Sequence, residues 1–335
     1  MSATERRFTI GLLAVEGGIL SSLTGPMDIV RVAQKVAQAR DPGTRLSLDT
    51  VLIGARGQST VTGSGGLQLG PVRSSDLALD LVIVPGLIHD GVDDLVQRLG
   101  NYGPEIELLR SLSLRGVALA SSCCGGFLLA EAGLLDGRSA TTSWWLDAAF
   151  RKRYPRVSLD VERMIVEDGC VTTTGASTAV LSYMLQLLAR HVDPDLAQLT
   201  ARMMLIDPDR ASQAPYISLA LTERPRHSLS EKASGFLQKQ LHRELSIAEL
   251  AAHCGTSERS LLRHFRQHYH SSPLAHIQHL RVERAKALLE STLLSFEEIV
   301  ERCGYSDASS FRKLFKRATS LTPADYRDRF RLRSL

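Results

Sequence analysis

At 335 residues the chain has room for two or three domains, and 44% hydrophobic with 23% charged residues describes a protein built around packed cores rather than a disordered one. No apolar run approaches the ~20 residues of a membrane span, and residues 1–7 hold no apolar signal core, so a cytoplasmic protein with no membrane partner is expected. Five cysteines with no C-x-x-C pair argue against a disulfide framework or a zinc ribbon.

The net charge of +4 is uneven: residues 231–335 hold 18 lysines and arginines against 12 aspartates and glutamates, and the residues before them 22 against 24. A basic footprint confined to one end fits a nucleic-acid reader carrying a neutral companion domain. Exposed helices are often rich in lysine and arginine, so charge alone does not decide this.

In chain order, residues 8–15, 46–53, 79–84 and 117–120 read as buried strands, and 26–39, 92–112 and 127–132 as helices. Such alternation predicts an α/β domain, flavodoxin-like, whose mainly parallel sheet carries helices on both faces. Residues 163–167 and 169–173 look like a hairpin ahead of an apolar helix over 176–190. The chemically suggestive stretch is Ala118-Leu119-Ala120-Ser121-Ser122-Cys123-Cys124-Gly125-Gly126-Phe127. A strand ends, small residues crowd together and a helix begins, which is the setting of a nucleophile elbow with Cys123 at its tip. Amide donors of a helix start acidify a thiol placed there, so Cys123 is also a candidate redox sensor.

Pro208, Pro215 and Pro225, the last within Arg224-Pro225-Arg226-His227-Ser228, mark a linker expected over 207–230 between domains at 7–206 and 231–331. Beyond it the chain repeats itself. Leu245-Ser246-Ile247-Ala248-Glu249-Leu250-Ala251-Ala252-His253-Cys254-Gly255 returns 49 positions later as Leu294-Ser295-Phe296-Glu297-Glu298-Ile299-Val300-Glu301-Arg302-Cys303-Gly304. Ser246 with Glu249, and Ser295 with Glu298, spell capping boxes. Gly255 and Gly304 then fall where a left-handed turn suits glycine. Cys254 and Cys303 fill one slot as small apolar residues at a helix end, and His253 reads as an exposed helix position.

Each copy continues into a second helix, over 257–269 and 307–319, which completes a helix-turn-helix. Leu261 with Phe265, and Phe311 with Phe315, form its buried stripe. Arg259, Leu262, Arg263 and Arg266 are left facing outward in one copy, and Ser309, Arg312, Lys313 and Lys316 in the other, which makes them the candidate contacts to double-stranded DNA. Ser272 and Pro273 start a helix running to about Leu289, which at 1.5 Å per residue spans roughly 25 Å and can hold two reading heads on successive turns of DNA about 34 Å apart. A proline-started short helix closes the pattern at Leu321-Thr322-Pro323-Ala324-Asp325-Tyr326-Arg327.

With two correctly spaced units and the terminal T-P-x-x-Y-R, residues 231–331 resemble the DNA-binding domain of the AraC/XylS regulators. From about Phe8 to His191 the chain resembles the DJ-1/PfpI-like, class I glutamine amidotransferase-like domain found fused to such helices in the GlxA group. That likeness rests on the elbow block, Leu23-Thr24-Gly25-Pro26, Thr141-Thr142-Ser143-Trp144 and Thr173-Thr174-Gly175, followed by Gln213-Ala214-Pro215-Tyr216. The resemblance implies a pocket lined by Gly86, Leu87, Cys123, Cys124, Ser143 and Trp144, an effector that is a small nitrogenous metabolite, a homodimer, and action with RNA polymerase as an activator.

In the resembled enzymes a histidine commonly follows the elbow cysteine, and related regulators often carry one in the T-T-H-W stretch; here Cys124 and Ser143 stand at those positions. Of ten histidines only His89, His191 and His227 precede residue 231, and none lies in a matching motif. Without a base to take the thiol proton, catalysis is not expected, nor is any cofactor or metal. Trp144 could offer its ring face to a cation, although Trp144 and Trp145 also fit as core or dimer-surface residues. Two function classes remain. One is a metabolite-controlled transcription regulator; the alternative is a cysteine-dependent DJ-1/PfpI-type enzyme carrying a DNA-binding appendage.

Overall fold

The computed structural model describes residues 7–207, 210–218, 228–269 and 271–331. The chain divides into two compact units between Gln213 and Ala214.

The first unit is built on a six-stranded sheet of β1 (Phe8–Leu13), β2 (Leu48–Ile53), β5 (Leu81–Val84), β6 (Ala118–Ser122), β9 (Ile165–Asp168) and β10 (Val171–Thr174), ordered β2-β1-β5-β6-β10-β9. Every neighbouring pair is parallel except β10 with β9, which form the expected hairpin. Two small ribbons stand apart from this sheet. β3 (Val61–Thr62) pairs with β4 (Gln68–Leu69), and β7 (Ser139–Ala140) with β8 (Ser158–Leu159).

Both faces of the sheet are covered, which is why its strands read as continuous apolar runs. On one face α1 (Ser21–Arg40), α6 (Ala179–His191) and α7 (Pro194–Met203) bury Ile29, Met184 and Leu196 with Ile10 and Ile83. On the other, α2 (Val92–Arg98), α3 (Gly103–Leu114), α4 (Gly126–Glu131) and α5 (Asp147–Arg153) bury Leu95, Leu109, Phe127 and Phe150 with Val82 and Leu119. The order of strands reverses beside β1. Ligands of such sheets bind at the carboxyl ends near that switch, and the loops after β1, β5 and β6 meet there.

Three helices differ from their expected limits, α6 only in beginning at Ala179, three residues late. α1 begins at Ser21, five residues before the expected start, with Pro26 inside it. Its extra turn is held by tertiary contact, since Ser64 Oγ accepts from the Leu20 amide at 3.1 Å. The single helix expected over 92–112 is two, because Pro104 opens a fresh first turn. The break is anchored where the Tyr102 hydroxyl donates to the Glu16 carbonyl at 3.1 Å.

The second unit is all α: α8 (Ser228–Gln240), α9 (Ile247–His253), α10 (Glu258–Tyr269), α11 (Pro273–Ser291), α12 (Phe296–Arg302), α13 (Ala308–Thr319) and α14 (Pro323–Phe330). Both capping boxes are complete, with the serine accepting from the third helical amide and the glutamate from the serine amide. Gly255 and Gly304 take φ of +65° and +73°. Two separate apolar cores result. Leu237, Leu250, Leu261, Phe265 and Ile277 form the first, and Val282, Leu289, Ile299, Phe311, Phe315 and Tyr326 the second, so α11 contributes one end to each.

The linker expected over 207–230 is in part built into the fold. Gln213 is 3% exposed in the first unit. In the second unit the Pro215 carbonyl accepts from the Tyr326 hydroxyl at 3.5 Å, Tyr216 packs edge-on to Phe330 at 5.1 Å, and the Ile217 carbonyl accepts from Lys286 Nζ. Pro208, Arg224, Pro225, Arg226 and His227 lie outside the described residues.

Candidate functional site

β6 delivers Cys123 to the carboxyl edge of the sheet, and the backbone there takes φ of +56°. A non-glycine residue in that region costs roughly 1–3 kcal/mol. The surroundings enforce it. The Cys123 amide donates to the Gly175 carbonyl at 2.8 Å, and Thr142 Oγ1 donates to the Cys123 carbonyl at 3.2 Å. Close packing accounts for two glycines. A Cβ on Gly125 would lie 2.4 Å from the Pro85 carbonyl oxygen, and one on Gly86 would lie 3.2 Å from Cys123 Cβ.

Five of the six expected pocket residues meet, and Trp144 adjoins them in the chain. Cys123 Sγ lies 2.8 Å from Ser143 Oγ. Cys124 Sγ accepts from the Leu87 amide at 3.0 Å and lies 3.3 Å from the Leu87 carbonyl. Gly86 touches the elbow, and Trp144 follows Ser143 into a short helical turn. All six are buried, Cys123 to 3% exposed and Trp144 to 7%. The expected cleft is therefore closed over its own lining. Trp144 packs edge-to-face with Trp145, with centroids 5.2 Å apart.

The Cys124 thiol does most to hold Cys123 below the usual thiol range; burial opposes it, and the Ser143 hydroxyl and the Cys124 amide lower it further. Cys124 itself is pushed well above that range by its neighbour and by burial. A thiolate could be held here, but Ser143 cannot serve as a base near neutral pH. His191 stacks on Phe8 at 4.0 Å, and His89 Nδ1 is buried without a hydrogen-bond partner. Among the described residues, no cluster of histidine, cysteine, aspartate and glutamate could hold a metal ion, and no helix is long and apolar enough to cross a membrane.

Gln213 is a residue that pattern reading placed in a linker. Its Oε1 accepts from the Ala176 amide at 2.9 Å, and its Nε2 sits 3.0 Å from the carbonyls of Thr142 and Val161 and 3.2 Å from that of Arg163. Two N–H bonds can serve two of these at once. The clasp fixes the loop after β7 that carries Ser143. The only signal for it in the sequence was the Gln213-Ala214-Pro215-Tyr216 resemblance.

In the second unit, Leu261 with Phe265 and Phe311 with Phe315 are fully buried. Arg259, Leu262, Arg263 and Arg266, and Ser309, Arg312, Lys313 and Lys316, are all exposed. α10 and α13 thus each present one polar, mostly basic face. Arg312 is already engaged, 3.4 Å from Glu297 and with its guanidinium 4.9 Å from the Phe296 ring centroid. His264, on α10, faces inward, 8% exposed and 2.8 Å from Ser230 Oγ.

Residues 250–329 match the helix-turn-helix domain family. The chain is 28% identical over 326 residues to the HTH-type transcriptional regulator GbdR of Pseudomonas aeruginosa, covering 95% of this chain and 84% of that one. It is 31% identical over 229 residues to the HTH-type transcriptional regulator GlxA of Rhizobium meliloti, covering 66% and 68%. It is also 30% identical over 194 residues to the isonitrile hydratase of Pseudomonas putida, covering 51% and 81%. The duplicated motif, the cysteine elbow on a mainly parallel sheet and these likenesses agree: the chain belongs to the AraC-type, DNA-binding transcription regulators that carry an N-terminal DJ-1/PfpI-like domain.

Proposed function

We propose that the DJ-1/PfpI-like unit is a sensor without catalysis, and that a small nitrogenous metabolite bound among Gly86, Leu87, Cys123, Cys124, Ser143 and Trp144 controls how the second unit engages promoter DNA. The observation that carries this reading is the pairing of Cys123 with a hydroxyl, Ser143 Oγ at 2.8 Å. The elbow keeps its geometry and polarity and lacks the base that turnover needs. Because the lining is buried in the closed state, a metabolite must move side chains to enter, which ties occupancy to conformation and so to regulation.

At the DNA, Arg259, Leu262, Arg263 and Arg266 serve one major-groove segment, and Ser309, Arg312, Lys313 and Lys316 the next. The regulator acts as a homodimer in the cytoplasm and activates transcription through contact with RNA polymerase. A thermal-shift screen of amino acids and quaternary amines against the full-length protein tests the sensor, since a ligand of the native state must raise its stability. Cys123→Ala is expected to leave DNA binding by the unliganded protein intact and to alter the shift caused by the metabolite. Trp144→Ala should weaken that metabolite by about 1 kcal/mol or more if the ring meets a cation. Full response in both variants would place the ligand elsewhere.

A second reading, a cysteine-dependent enzyme, draws support from the lowered Cys123 thiol and the enzyme relative. Turnover of any small carbonyl or nitrile-like substrate by the full-length chain, abolished in Cys123→Ala, would replace the sensor reading.

A further inference from the structure

Arg281 lies on α11 where the first core gives way to the second, and it is only 8% exposed. A buried guanidinium is costly unless its surroundings are arranged for it. Here one terminal nitrogen donates to the Arg243 carbonyl at 2.6 Å, in the loop that follows α8. The face of the same guanidinium lies 4.9 Å from the Tyr305 ring centroid, in the turn between α12 and α13. Arg281 therefore joins the loop that leads into the first helix-turn-helix motif to the turn of the second.

Each end of this clamp is tied to its own motif. Arg243 Nε donates to Gln240 Oε1 at 2.7 Å and its guanidinium pairs with Glu249 at 3.0 Å, which ties the loop to α8 and to the capping box of α9. Leu241 is buried in the first core. Tyr305 packs on Phe311 of α13 with centroids 4.6 Å apart. Beside the clamp, the second motif's turn is pressed onto the same loop, since a Cβ on Gly304 would lie 2.6 Å from the Leu241 carbonyl oxygen. A solvent-open groove of about 540 Å³ runs between His242, Arg243 and Glu244 on one side and Glu301 and Tyr305 on the other.

We infer that Arg281 is a positioning residue for DNA recognition, fixing the separation and rotation of α10 and α13 so that the regulator accepts one spacing between two base-contact blocks. A single helix between two cores can bend and twist; a planar group bonded to the loop before one motif and stacked on the turn of the other removes that freedom. This rests on both helices reading DNA, as proposed above. Arg281 itself need not touch the duplex.

The test is selection of duplexes from a randomised pool by the full-length protein, followed by affinity measurement on the selected duplex and on one with a base pair inserted between its blocks. Wild type is expected to return two blocks at one separation and to lose about 100-fold on insertion, the order of a well-placed contact set. Arg281→Met is expected to return the same blocks at several separations and to lose about tenfold or less. Tyr305→Leu, which keeps apolar bulk and removes the ring face, should relax spacing in the same direction and serves if Arg281→Met does not fold. Arg281→Lys should fall between, since it can donate to Arg243 but cannot stack as a plane. Two blocks at one separation from both wild type and the folded clamp variants would overturn this inference alone. A single block from wild type would overturn it together with the two-helix reading.

Discussion

The two helix-turn-helix motifs open on the same capping box, turn on a glycine in the same slot and bury two residues four apart on the second helix, yet they are held in place by different means. Around Gly255 nothing lies within 4 Å of a would-be Cβ, whereas Gly304 faces the backbone of Leu241 and Arg243 at 2.6–2.9 Å. The first motif is packed with imidazole rings: His264 against His268 at 4.4 Å, and His276 against Tyr269 at 4.5 Å. The second motif has no histidine and is fastened instead by α14 and the 214–217 segment, through Tyr326 and the buried Lys286. A repeated pattern thus specifies the same local shape twice. What each copy leans on is decided by its neighbours.

The sharpest way to break this contrast is at the paired glycines. Gly255→Ala should cost only the left-handed backbone, about 1–2 kcal/mol. Gly304→Ala adds overlap with backbone that cannot rotate away, and should cost about 3 kcal/mol or more. Equal losses in urea unfolding of the full chain would remove the distinction.

Acid separates the motifs next. Burial holds His276 down to about 4 from its ordinary 6.5, with nearby His279 adding to the effect. The unfolded chain therefore takes up a proton below pH 6.5 that the folded one refuses. The stability linked to this group is present above pH 6.5 and is lost as the pH falls towards 4, by about 3 kcal/mol at most. Hydrogen exchange resolved by segment should show α10 and the start of α11 loosening before α12 and α13, and His276→Gln should flatten the difference. Uniform loosening would show that the histidines do not set it.

On DNA, Arg263→Ala should cost about 1–3 kcal/mol and relax preference at one base position. Arg312→Ala, at the second motif, should cost less, because Arg312 must first give up Glu297 and its place over Phe296. Its loss should lower the salt slope of binding by about one unit if it meets phosphate. An unchanged slope for both Arg312→Ala and Lys313→Ala would argue against close contact by the second motif. The smallest expected effect is the most symmetric: Ser246→Ala and Ser295→Ala should each cost about 1 kcal/mol, since both caps rest on the same two local bonds. Unequal losses there would show that tertiary strain reaches even the caps.

Much of the fold was legible because it rests on local spacing. The 49-residue repeat, both capping boxes, the left-handed glycines and the buried pairs Leu261–Phe265 and Phe311–Phe315 stand where the pattern put them. So does the strand-to-helix elbow at Cys123. Less was visible where a residue acts through a distant partner. The start of α1 depends on Ser64, the break before α3 on Glu16, and the place of Gln213 on carbonyls 50 to 71 positions away. His264, on α10, faces Ser230, 34 positions back.

By itself, then, the sequence determined the central strands, the helices of the duplicated motifs, where those motifs begin and turn, and which of their faces are polar, while α5, α7, α8 and the two small ribbons carried no pattern strong enough to mark them. Those properties follow from periodicity and from side chains meeting backbone within a few residues. Only the tertiary structure decided that Cys123 meets Ser143, that Gln213 is buried in the first unit while Pro215 to Ile217 pack within the second, and that Arg281 links the Arg243 loop to Tyr305. Each of these depends on groups far apart in the chain coming within bonding distance, and no local spacing encodes such a meeting.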